Sequence, residues 1–265
     1  MDSSALPDLR PARCCVVVPT YDEADGIAVL LDRLLAATAG GDVDVLVVDD
    51  NSPDGTADVV RAHPAYGGRV RLLLRPGKEG LGAAYRAGFA HAVDAGYPVV
   101  VQMDADGSHP VDDVLPMIAG LDSADVVVGS RYVAGGATRG WPWTRRALSS
   151  AANLYARAAL RLRTHDATAG FRAWRSSAVH RAGLLATTSN GYGFQVENTW
   201  RAERSGLRVR EHPIVFTDRA TGASKMDGAV AVEAFLSVAR WRLGELTGSG
   251  STEAATAGGE RLVSR

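Results

Sequence analysis

Val43-Asp44-Val45-Leu46-Val47-Val48-Asp49-Asp50-Asn51-Ser52-Pro53-Asp54-Gly55-Thr56 and Val99-Val100-Val101-Gln102-Met103-Asp104-Ala105-Asp106-Gly107 share one plan: a β-branched run that ends in carboxylates and a glycine turn. Runs this apolar suit strands buried on both faces, which is the habit of parallel sheets. Cys14 to Pro19, Val70 to Leu74 and Val126 to Gly129 complete a set of predicted strands whose first two core members are Cys14 to Pro19 and Val43 to Asp49. Between them lie helical patterns. Ile27, Leu30, Leu31, Leu34 and Leu35 recur at helical spacing behind the acidic Asp22 and Glu23, and Ala83 to Ala95 reads as a second helix. Strands alternating with helices predict an α/β fold with a mostly parallel sheet flanked by helices. The strand ends that carry the carboxylates then line one crevice.

Outward from these runs the pattern changes. After Arg131 the spacing predicts a basic helix over Arg145 to Arg163, a helix over Phe194 to Arg204, a strand over Val209 to Phe216 and a last helix over Gly228 to Gly244. Residues 1–12 read as a flexible N-terminus, 13–246 as a single catalytic domain, and 247–265, small and polar, as a disordered tail. With 265 residues, 46% of them hydrophobic, the chain can build a sizeable core. Its 29 basic and 30 acidic residues give a net charge of −1, so no global attraction to nucleic acid or anionic lipid is encoded. Cys14 and Cys15 are neighbours in an apolar run and read as core residues in a reducing, cytoplasmic setting. Met1 to Arg13 lacks the basic start and apolar stretch of a signal peptide. No run reaches the ~18 to 20 apolar residues that span a bilayer, so a lipid substrate would be met at the membrane surface.

The carboxylates carry the chemistry. Asp and Asn in a turn such as Asp49 to Gly55 commonly do no more than cap a helix or brace the bend. Asp104 and Asp106 are different: residues two apart on an extended chain point to one side, and two anions so placed repel. A divalent cation resolves the repulsion, and hard oxygen ligands favour Mg2+ or Mn2+. Such an ion neutralises a departing nucleoside diphosphate. Other nucleotide and hydrolase signatures fail. Gly80-Leu81-Gly82-Ala83-Ala84-Tyr85 lacks the third small residue of the dinucleotide fingerprint, and Leu72 stands where a phosphate loop ending in Gly77-Lys78 needs glycine. There is no Ser-His-Asp order with a nucleophile elbow, and the six histidines show no metal-ligand spacing.

Ordered along the chain are Val18-Pro19-Thr20-Tyr21-Asp22-Glu23, Asp49 to Thr56, Gly80-Leu81-Gly82, Asp104-Ala105-Asp106-Gly107-Ser108-His109-Pro110, Gly129-Ser130-Arg131-Tyr132, Trp141 with Arg145 and Ser149, Asp166-Ala167-Thr168-Ala169-Gly170-Phe171-Arg172, Gly191-Tyr192-Gly193-Phe194-Gln195-Val196-Glu197, and Phe216 to Lys225. Over Cys14 to Lys225 this set closely resembles the dolichyl- or polyprenyl-phosphate mannose synthases, inverting family 2 glycosyltransferases of the GT-A fold. The resemblance implies a β-mannosyl transfer from GDP-mannose to polyprenyl phosphate, giving polyprenyl-phosphate mannose and GDP. It places donor contacts on Pro19, Tyr21, Glu23, Val48 and Asp50, with Asp104, Ala105 and Asp106 around the diphosphate and the metal. Asp106 and Ser108 correspond to its metal ligands, although the family often has glutamine where this chain has Ser108. Arg131, Arg219 and Lys225 match its phosphate-binding basic residues. Asp104, Asp106, Arg131 and Arg219 are the implied catalytic set.

A phosphate acceptor is already an anionic nucleophile and needs no general base, so the expected work is positioning and charge control. Thr217 to Lys225 reads as a lid over the diphosphate. Leu148, Ala152, Tyr155, Ala159 and Leu162, bordered by Arg145, Arg146, Arg157, Arg161 and Arg163, predict an interfacial helix, with a second stripe on Val230, Ala234, Phe235, Val238 and Trp241. Packing on the domain is the other reading of both helices. The expected place of work is the cytoplasmic face of the membrane, by peripheral contact, with room for a separate membrane-anchoring protein. Two other functions stay open: glucosyl or related transfer from a UDP-sugar, and a non-catalytic nucleotide-sugar sensor.

Overall fold

The computed structural model describes residues 13–218 and 236–243. Three layers form around a seven-stranded sheet of order β3-β2-β1-β4-β7-β5-β8. Its strands are β1 (Cys14–Thr20), β2 (Val43–Asp49), β3 (Val70–Leu74), β4 (Val99–Gln102), β5 (Val126–Ser130), β7 (Arg172–Arg175) and β8 (Val209–Pro213). The pairs of β1 with β2 and β4, β2 with β3, and β5 with β8 are parallel, so the mostly parallel sheet is present. β6 (Ala137–Arg139) and β9 (Val215–Thr217) form a separate parallel pair.

Every residue of β1 and β2 is buried, as continuous apolar runs require. Val16, Val18, Val45, Val47 and Val101 meet Ile27, Leu30, Leu31 and Leu34 of α1 (Ala24–Ala37) on one face. Val17, Leu46, Val48 and Val100 meet Tyr85 and Phe89 of α3 (Leu81–Asp94) on the other. Each such side chain contributes about 1.5–3 kcal/mol on burial. α3 sits unusually close because Gly88 lies against the sheet: a Cβ there would be 2.3 Å from Val17 Cγ1.

Several elements differ from the sequence reading. α2 (Thr56–Ala62), α4 (Val114–Gly120) and α6 (Ser176–Arg181) are too short to show a helical period. β7 is antiparallel to both β4 and β5 in the middle of the sheet, and its Arg172-Ala173-Trp174-Arg175 carries no apolar run. The predicted strand Val209 to Phe216 divides at Ile214, whose N–H bonds Ser130 O as the chain leaves the main sheet for β9.

The basic helix is α5 (Trp143–Leu160), followed by Arg161 in the left-handed region, so Leu162 lies beyond the helix and is buried. α5 packs through Asn153, Ala156 and Leu160. Tyr155 and Ala159 of the predicted stripe pack against the same cluster, while Trp143 73%, Leu148 58% and Leu154 64% are exposed. α7 (Gly191–Arg204) lies beneath it, and helical residues 236–243 join both through buried Val238 and a Trp200–Trp241 stack at 5.7 Å. The described part of the last predicted helix therefore packs on the domain.

Candidate active site

The C-terminal ends of β1, β2 and β4 open into a cleft of about 510 Å³. Pro19, Tyr21, Glu23, Asp50, Asp104, Ala105, Asp106 and Arg131 all line it. Val48 does not; its side chain is fully buried beneath, in the core. Ser108 is buried behind the wall. Arg219 and Lys225 lie outside the described residues, as does the expected lid beyond Asp218.

The first carboxylate cluster divides its labour. Asp49 braces the turn, its Oδ1 accepting from Thr20 and Ser52 hydroxyls at 2.8 and 2.6 Å and its Oδ2 from Ser52 N–H. Asp54 accepts the Ala24 N–H at 2.9 Å and ties the start of α1 to the same turn. Asp50 alone faces the cleft. Burial raises its carboxyl above the ordinary range, while the adjacent Arg75 guanidinium pulls it back. Arg75, buried itself, joins Asp50 to Glu79 and so fixes the Asp50 carboxylate. Lys78 caps the Tyr21 ring at 3.9 Å on the same side.

The second cluster lies on a turn, since β4 ends at Gln102, and Gly107 at φ 71° closes it. Asp106 Oδ1 accepts both the Ser108 N–H at 3.0 Å and the Ser108 hydroxyl at 2.6 Å. Asp104 N–H donates to His109 Nδ1, and the His109 ring stacks on Phe171 at 5.2 Å and meets the edge of Phe216. The strand β9 is stitched to this turn by Thr217 N–H to Ser108 O.

Arg131 is the fixed cation of the opposite wall. Asp166, wholly buried, accepts from Arg131 N, Nε and Nη2 at 3.0, 2.8 and 2.8 Å, and Thr168 takes a further Nη2 bond. Burial would raise the Asp166 carboxyl, but the Arg131 charge and hydrogen bonds outweigh it and hold it below the ordinary range. Asp166 is itself placed by two glutamates. Glu203 holds Arg163 and Thr164 N–H, and Glu211 holds His165 and Asp166 N–H. Asn153 of α5 accepts the Ala167 N–H from the other side. Arg145, expected on a lipid-facing border, instead lines the cleft and pairs with Asp218 at 2.7 Å.

Asp166, Arg75, Tyr85 and His109 had no assigned role in the sequence reading. Only tertiary pairing shows which of the motif residues touch the cleft side chains. Among the described residues no cluster of three or more His, Cys, Asp or Glu side chains suited to a metal occurs. Asp104 and Asp106 supply hard oxygen to the cleft, which suits an ion with few protein ligands whose sphere is completed by substrate oxygens.

Comparison with known proteins extends this picture. The family described as Glycosyl transferase family 2 matches residues 15–183. A polyprenol monophosphomannose synthase of Mycolicibacterium smegmatis is 44% identical over 239 residues, 88% of each chain. An undecaprenyl-phosphate mannosyltransferase of Micrococcus luteus is 44% identical over 231 residues, covering 87% of this chain and 94% of its own. Among solved structures, glucosyl-3-phosphoglycerate synthase of Mycobacterium tuberculosis with Mn2+, UDP and glucosyl-3-phosphoglycerate superposes with a TM-score of 0.64 at 20% identity, over 89% of this chain and 81% of the other. At that identity the likeness concerns the fold.

Proposed function

Because the chain belongs to glycosyl transferase family 2 and, within it, to the polyprenyl-phosphate mannose synthases, we propose that it transfers mannose from GDP-mannose to a polyprenyl phosphate with inversion, releasing GDP. The observation that carries this reading is the convergence of Asp50, Asp104, Asp106 and Arg131 on one cleft. Asp50, held by Arg75, is a fixed acceptor for the N–H edge of the base, with Tyr21 and Glu23 beside it and the Val48 contribution confined to backbone. Asp106 faces the diphosphate, with Asp104 beside it toward the sugar.

Asp106 would hold Mg2+ or Mn2+, and Ser108, buried behind the wall, donates its hydroxyl hydrogen bond to Asp106 Oδ1 and so would orient that carboxylate toward the ion. The relative that shares this fold binds Mn2+ with UDP. A bound divalent ion offsets the charge on the departing diphosphate. Arg131, joined by Arg219 and Lys225, holds the incoming phosphate oxygen against the anionic donor and aligns it with the anomeric carbon. No carboxylate is required as a base, because the nucleophile is ionised already. The test is a panel of nucleotide sugars with polyprenyl phosphate and each metal. GDP-mannose is expected to give product that partitions into organic solvent. Product only from UDP-glucose would replace the donor, and water-soluble product only would replace the acceptor class.

The acceptor brings the enzyme to a membrane. Among the described residues no helix is long and apolar enough to cross one. The outward face of α5 supplies the contact: Trp143, Leu148 and Leu154 are exposed, and Arg146 and Arg161 stand exposed along the same helix and its end. We predict that Trp143→Ser/Leu148→Ser/Leu154→Ser lowers sedimentation with phosphatidylglycerol vesicles at least about tenfold, given about 1.5–3 kcal/mol for each large apolar side chain. Unchanged sedimentation would remove α5 from the interface. A separate anchoring protein and the cytoplasmic face complete the proposal.

A further inference from the structure

Asp104 and Gln195 meet at the cleft, each held by a hydrogen bond from a buried side chain. Asp104 Oδ1 is 2.6 Å from the hydroxyl of Tyr85, which is wholly buried on α3 and stacked on Phe194 of α7 at 5.8 Å. A carboxylate only accepts, and so Tyr85 donates to it. The Gln102 side chain lies next to Tyr85 at the end of β4. Gln102 Nε2 donates to Gln195 Oε1 at 2.8 Å. The Gln195 oxygen is thus used inside the protein, and its NH2 is what remains for the cleft that Gln195 lines, although Gln195 is only 4% exposed.

That NH2 has a counterpart. A Cβ built on Gly170, at the cleft wall, would lie 3.1 Å from Asp104 Oδ2 and 3.6 Å from Gln195 Nε2. A donor and an acceptor therefore converge over a residue with no side chain. A phosphate oxygen fits this place poorly, because it only accepts and Asp104 repels it. A sugar hydroxyl donates and accepts at once and suits both.

We propose that Gln195 is a specificity-determining residue for the donor, its Nε2–H bonding a hydroxyl of the transferred sugar over Gly170, beside Asp104 Oδ2. This rests on the nucleotide-sugar reading above. Calorimetry of the full chain with Mg2+ tests it, titrating GDP, GDP-mannose, UDP and UDP-glucose into wild type, Gln195→Met and Gln102→Met. Gln195→Met is expected to weaken the nucleotide sugar that wild type binds about tenfold, the scale of one hydrogen bond, and to leave the matching nucleoside diphosphate within about twofold. Gln102→Met, which leaves the Gln195 amide unoriented, should show the same selective loss at smaller size. If Gln195→Met does not fold, Gln102→Met decides on the same ratio. Wild type that binds no nucleotide sugar sinks both this assignment and the reading beneath it. Wild type that binds one, with an unaltered ratio of sugar nucleotide to nucleoside diphosphate in the variants, sinks the Gln195 assignment alone.

Discussion

Asp106→Ala is expected to lower transfer by about 10²–10³-fold, the loss usual when one preorganised group facing developing charge is removed. The residual rate should no longer rise with added Mg2+ or Mn2+. The fold should survive, because Asp106 is only partly buried on its turn and is bonded there by neighbouring Ser108, contacts of one short loop rather than of the core. The loss of a bond to a charged acceptor is worth about 1.5–3 kcal/mol. The measurement is product formation across a metal titration, with circular dichroism as the check on folding. Undiminished, metal-responsive turnover in this variant would overturn the role given to Asp106.

Asp166→Ala should act on stability and activity together. Arg131 is buried against Asp166, and stripping one member from a buried ion pair costs about 3–5 kcal/mol because the other charge loses that compensation. The pair also gives stability a pH dependence whose sign is fixed. The Asp166 carboxyl is lowered in the folded protein, so its contribution is fully present above the ordinary carboxylate pKa and disappears as pH falls through the depressed folded value. Wild type should lose melting temperature on acidification in that window. Asp166→Asn should start lower at neutral pH and lack this part of the slope. Transfer should fall as well, since Arg131 loses the three bonds that orient it toward the cleft. Melting curves from neutral pH to about pH 3 check this, and parallel slopes for wild type and Asp166→Asn would contradict it.

Much of the fold was legible because burial on both faces leaves a plain mark. Cys14 to Thr20 and Val43 to Asp49 are apolar nearly throughout, and α1 repeats its leucines at one period. β7 left no such mark: Arg172 is fully buried in it, satisfied in part by the carbonyls of Ala167, Ala169 and Gln195 rather than by apolar neighbours, so its burial cannot be read from hydrophobicity. α5 misled in a different way. Its apolar stripe is split, since Tyr155 and Ala159 pack on the domain beside Ala156 and Leu160 while Leu148 stays exposed, and periodicity does not say how much of a stripe meets protein.

For the cleft, strand ends pointed to Asp50, Asp104 and Asp106, and all three are there. The strand pattern alone did not separate Asp50 from Asp49, of which one braces a turn and the other faces the cleft; only the family resemblance singled out Asp50. Neither found Arg75 or Tyr85, whose roles depend on partners brought together from other elements.

The antiparallel β7 also governs how the enzyme can be made. β4 is joined to β1 on one side and β7 on the other, while among the described residues β5, with β8 at its outer side, reaches β4 through β7. A nascent chain that has emerged as far as Arg131 holds four adjacent strands and a fifth with no neighbour to join. The keystone arrives some forty residues later, between strands already synthesised, and such non-local closure is slow. Cutting the gene between these points would therefore leave two fragments with raw sheet edges and no autonomous half-enzyme.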